Sequence, residues 1–136
     1  MTATLLYRIA AGLFVLFAAG HTVGFLRFRP TSPEGRAVWD SMHTVRVQLG
    51  RGSFTYGGFY VGFGLYNTVF LLFSAVLAWH LSNVAATTPQ AIGLLGWAFC
   101  ATQVAGAVLC WRYFAPPPVI LSVAIAVCLG WAALIT

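Results

Sequence analysis

Four long apolar runs alternate with three polar interruptions along the chain, and the runs fall at about residues 5–28, 54–81, 91–114 and 119–135. Each is close to the 20 or so apolar residues that a helix rising about 1.5 Å per residue needs to cross a hydrocarbon layer of roughly 30 Å. The pattern therefore predicts four membrane-spanning helices. Prolines mark the breaks: Pro30 and Pro33 after the first run, Pro89 after the second, and the triplet Pro116, Pro117 and Pro118 before the fourth. The short second and third connections predict antiparallel neighbours among the last three spans.

The longest polar segment, between the first two runs, carries a pattern of its own. Val38, Met42, Val45 and Leu49 recur at spacings of four, three and four, which predicts an amphipathic helix over residues 33–49 lying along the membrane surface. Its start is signalled either by Thr31 with Glu34 as a capping box, or by Ser32 as cap with Pro33 at the first helical position. The expected fold is thus all-α: an integral membrane four-helix bundle in a single domain, with an interfacial helix between spans one and two.

Composition agrees with that reading, since 60% of residues are hydrophobic and only 7% charged, where soluble domains carry about a quarter. Arg8 precedes an apolar run that reaches Ala18, Ala19 and Gly20, as in a cleaved leader, but the run continues through Val23 to Leu26 and is read as a span. The net charge of +5 comes from seven arginines against Glu34 and Asp40. In a membrane chain such a balance speaks to topology and anionic lipid, and nucleic acid is not an expected partner. Arg27, Arg29, Arg36, Arg46 and Arg51 in the first connection and Arg112 beside the third stand against Arg8 alone. Arginine bias then places those two connections in the cytoplasm and both termini outside, in a bacterial inner membrane.

Three polar residues inside the runs are the candidates for chemistry: His21, Asn67 and Gln103. His21 lies between Gly20 and Gly24, a GxxxG pair of the kind that admits a close helix neighbour. Asn67 shares a stripe with Tyr60, Gly64, Leu71 and Ser74, and Gln103 one with Gly96, Cys100, Ala107 and Cys110. All three lie roughly 10–16 Å from the predicted cytoplasmic boundary, so one shared layer is expected. That layer has two readings: interhelical hydrogen bonds that fix helix register, or a site where His21 helps to bind a cofactor, pigment, quinone or lipid whose identity the sequence does not give. A bis-histidine haem is disfavoured because His43 and His80 fall at other depths. Cys100, Cys110 and Cys128 read as buried small hydrophobes, and no span carries a carboxylate for a proton relay. CxxC, HExxH and nucleophile-elbow patterns are also absent.

The stretches Gly20-His21-Thr22 with Gly24-Phe25, Phe59 to Leu65 continuing to Val69-Phe70-Leu71-Leu72, and Trp111-Arg112-Tyr113-Phe114 resemble a group of small bacterial four-span membrane proteins of no established activity. The resemblance implies four spans and transfers no catalytic residue. The expected function is a non-catalytic accessory or interaction subunit of a larger membrane assembly, with lipids and other membrane chains or further copies as partners; small-residue faces such as Ser122, Ala126 and Gly130 prompt it. The alternative is a bundle binding an apolar molecule near His21, Asn67 and Gln103. A minimal transporter is a third reading, with little polar lining to support it.

Overall fold

A computed structural model describes all 136 residues. Five helices, α1 (Ala3–Arg27), α2 (Pro33–Thr44), α3 (Tyr56–Thr87), α4 (Gly93–Tyr113) and α5 (Pro116–Leu134), are joined by one hairpin, β1 (Arg46–Leu49) and β2 (Gly52–Thr55). Four of the helices, all but α2, are long and apolar enough to cross a membrane. The chain divides into two compact units, one of residues 1–18 with 70–136 and one of residues 19–69.

In the first unit the core is built from α1, α3, α4 and α5. Leu6, Tyr7, Ala10 and Phe14 of α1, Leu71, Ala78 and Leu81 of α3, Phe99 of α4, and Ile125 and Leu129 of α5 are buried in one cluster. Phe14 stacks on Phe99 with ring centroids 5.5 Å apart. The expected stripe of α4 packs on α5: a Cβ at Gly96 would approach Ala133, one at Gly130 would lie 3.2 Å from the Cys100 sulfur, and Cys100 donates to the Ala126 carbonyl. Most other large apolar side chains on these helices point outward, as lipid-facing surfaces must.

The turn into α5 shows how sequence can remove a problem instead of solving it. The first four N–H groups of a helix have no partner in the preceding turn, which is costly where water is scarce. Pro116, Pro117 and Pro118 occupy the first three helical positions after the cap residue Ala115, so three of those four donors do not exist. No side-chain cap is made there. By contrast α2, in a polar segment, is capped by Ser32, whose hydroxyl accepts from the Gly35 N–H at 3.0 Å with Pro33 next in line. Of the two predicted starts, the Ser32 cap is the one formed.

Two boundaries differ from expectation. The interfacial helix stops at Thr44 and not near residue 49, and residues 46–55 form an antiparallel hairpin pairing Val47 with Phe54 and Leu49 with Gly52. The reason is a second periodicity in the same residues: Val45, Val47 and Leu49 alternate with Arg46 and Gln48, a period of two that β-branched residues favour. Gly50 closes the turn at φ +57°, a conformation that glycine adopts without steric cost. Arg46 then ties the strands, its Nε donating to Ser53 Oγ at 2.8 Å and Nη2 to the Ser53 carbonyl at 2.9 Å. The second difference is α3, which runs to Thr87, six residues past Leu81, and so reaches about 48 Å, longer than a bilayer core.

Candidate functional site

Residues 19–69 bring two of the three candidate polar side chains together. In the α-helical geometry, Tyr60, Gly64 and Asn67 share one face of α3, and His21 and Phe25 share one face of α1. His21 Nε2 lies 3.0 Å from the Gly64 carbonyl oxygen and 3.4 Å from the Asn67 amide. A carbonyl only accepts, so the 3.0 Å contact requires the proton on Nε2. Nε2 then has no lone pair to accept from Asn67 Nδ2, so in this tautomer only the bond to Gly64 is made. In neutral His21 the remaining lone pair therefore sits on Nδ1, which makes no hydrogen bond within the chain. Thr68 also donates to the Gly64 carbonyl at 3.2 Å, and Thr22 and Thr68 share a hydrogen bond at 2.8 Å one turn away.

Gly64 is what allows this approach. A Cβ there would fall 2.6 Å from the Phe25 ring, so a side chain at this position would force that ring to move from its contacts with His21 and Tyr60. Phe25 in turn begins a run of ring contacts: His21 at 5.1 Å, Tyr60 at 6.2 Å edge-on, Tyr60 to Trp39 at 5.7 Å, and Trp39 to His43 at 4.7 Å. Phe28 packs edge-on against Trp39, and the Arg29 guanidinium lies 5.2 Å from the centre of the same ring. His43 Nδ1 donates to the Trp39 carbonyl at 2.8 Å, which fixes its ring. Trp39 is thus the pin between α2, the Phe28–Arg29 segment after α1, and α3 at Tyr60.

Of the stripe Tyr60, Gly64, Asn67, Leu71 and Ser74, the first three lie within residues 19–69 with His21 and Phe25, whereas Leu71 and Ser74 are buried in the other unit; the sequence gives no sign of the Trp39 pin. The one available signal is a tryptophan in an otherwise polar segment. Gln103 belongs to the other unit, where it is buried and its Nε2 donates to the Ser122 carbonyl at 3.3 Å. That is a register-fixing bond between α4 and α5. Ser122 Oγ also contacts Cys110 Sγ at 3.6 Å. The Ser122, Ala126 and Gly130 face, expected to be surplus to the chain's own packing, is consumed against α4.

The Gly20–Gly24 pair differs in the opposite sense. A Cβ added at either glycine meets nothing within 4 Å, so the close-approach surface of α1 is unused within residues 19–69. Asn67 is likewise exposed. No group of three His, Cys, Asp or Glu side chains converges to hold a metal, so an ion at His21 would need ligands from outside the chain. Two apolar depressions, one between α4 and α5 and one beside α2 at Ala37, Val38, Met42 and Tyr56, are not lined by His21, Asn67 or Gln103. No family model, curated protein or solved structure matches the chain.

Proposed function

We propose that the chain is a non-catalytic accessory subunit of a membrane assembly, a four-helix transmembrane bundle whose α1 packs through Gly20 and Gly24 against a helix of another chain. The observation that carries this reading is the empty space around that pair. In lipid, helix association is driven by close van der Waals approach, and small residues spaced by four are what permit it. Here residues 19–69 supply such a pair and make no use of it among themselves. An exposed amide at Asn67, within a helix apolar enough to span, adds a polar group that a neighbouring helix can satisfy. The proposed setting is a bacterial inner membrane, with residues 28–55 and the α4–α5 turn cytoplasmic and both termini outside, following the arginine count.

Native mass spectrometry after extraction in mild detergent tests this directly. The chain is expected to carry partner chains or further copies, and Gly20→Ile with Gly24→Ile to release it as a single chain of unchanged helicity, because a Cβ at either position meets nothing within 4 Å. A lone chain before any substitution sinks the proposal.

A second reading rests on one atom. In this reading the Nδ1 lone pair of His21, whose ring is held by the Gly64 carbonyl and Phe25, accepts from or ligates a lipid-soluble small molecule beside Asn67. Gln103 takes no part in it, because its amide nitrogen is engaged with Ser122. Organic extraction of the purified chain, comparing wild type with His21→Phe, tests it: a quinone or pigment lost only from the variant supports the reading, and none in either excludes it.

A further inference from the structure

Between α4 and α5, on the outer side of the pair, runs a groove of about 490 Å³. Its walls are apolar: Val104, Val108 and Trp111 from α4, and Val119, Val123 and Val127 from α5. It has a direction. Val119 lies beside the proline turn and Val127 two turns further along the helix, about 12 Å deeper. On α4, Val104, Val108 and Arg112 recur at intervals of four, so the helix face that forms the groove wall continues into Arg112 at the turn, whose guanidinium lies 5.8 Å from the centre of the Tyr113 ring.

Arg112 is the only formally charged side chain from residue 52 to the end of the sequence. No carboxylate of that stretch can balance it. The backbone at the turn offers no substitute anion site either, since Pro116, Pro117 and Pro118 have deleted the N–H groups that a helix start would aim at a phosphate. Exposed Trp111, Tyr113 and Phe114 surround the same end, as side chains at a headgroup boundary do.

We infer that this groove is the seat of one anionic glycerophospholipid, with the headgroup-proximal part of an acyl chain along the valines and the phosphate against Arg112. Orientation supports this occupant: charge at the turn and hydrocarbon inward is the polarity of a lipid in its own leaflet. The groove's length matches part of one chain, and its lack of polar lining leaves nothing for a more polar guest to bond.

The test uses the full chain in detergent, incubated with equimolar phosphatidylglycerol and phosphatidylcholine and read by native mass spectrometry. Phosphatidylglycerol is expected to be retained over phosphatidylcholine by about fivefold, the worth of one arginine near an anionic surface. Arg112→Gln is expected to abolish that preference, and Arg112→Lys to keep most of it. Val123→Trp, at an exposed groove position, is expected to lower retention of both lipids while leaving helicity unchanged. Undiminished preference in Arg112→Gln, undiminished binding in Val123→Trp, or a protein helix cross-linked to Val123 in native membranes would each overturn the inference.

Discussion

The Tyr7 hydroxyl is buried in the first unit's core and has no hydrogen-bond partner. An unsatisfied buried donor forfeits its solvation, typically at a cost of about 1–3 kcal/mol. Removing only the oxygen leaves the ring and its packing in place, so Tyr7→Phe is expected to raise stability by about 1 kcal/mol, measured by thermal unfolding in detergent. An unchanged or lowered midpoint would show that the hydroxyl has a partner in the assembled state. At this scale, polarity within apolar runs marked His21, Asn67 and Gln103, and helical spacing correctly grouped Tyr60, Gly64 and Asn67. What spacing cannot state is which helix a face will meet. Gln103's face met Ser122 on α5, whereas His21's own glycine pair met nothing, because register along one helix says nothing about the order in which helices pack.

Local competition decides the elements. Residues 45–49 satisfy both a helical period, through Val38, Met42, Val45 and Leu49, and a strand period, through Val45, Val47 and Leu49; a glycine at the turn and the Arg46–Ser53 bonds favour the strand. Long apolar helices were legible because a period was not needed to see them, only length. The pin on α2 was not legible, since a tryptophan's partners are tertiary. Trp39 touches Phe28, Tyr60, His43 and Arg29 at once, and each such aromatic contact is worth about 0.5–1.5 kcal/mol beyond the area it buries. Trp39→Ala is therefore expected to free α2 while sparing the core around Phe14 and Phe99, seen as faster amide exchange confined to residues 33–44. Uniform acceleration, reaching α4 and α5, would mean that Trp39 supports far more than its own helix.

Charge is a property of the whole molecule here, because no span holds an acidic group and the seven arginines are distributed so unevenly. Six lie in or beside the first and third connections, and one near the N-terminus. In the proposed topology the first and third connections share one side, so the six act together, and moving them to the far side of an energised membrane would work against the potential as well as against insertion bias. Ser41 is exposed on α2 and Asn83 near the end of α3, and the proposed topology assigns them to opposite compartments. In intact cells a membrane-impermeant maleimide is expected to label Asn83→Cys and to spare Ser41→Cys until the membrane is opened, with Cys100, Cys110 and Cys128 setting the background from within the spans. Labelling of Ser41→Cys in sealed cells would invert the topology, and with it the leaflet in which Arg112 meets its phosphate. The groove inference would survive that inversion, since it depends on which end of the groove carries the charge and not on which compartment that end faces.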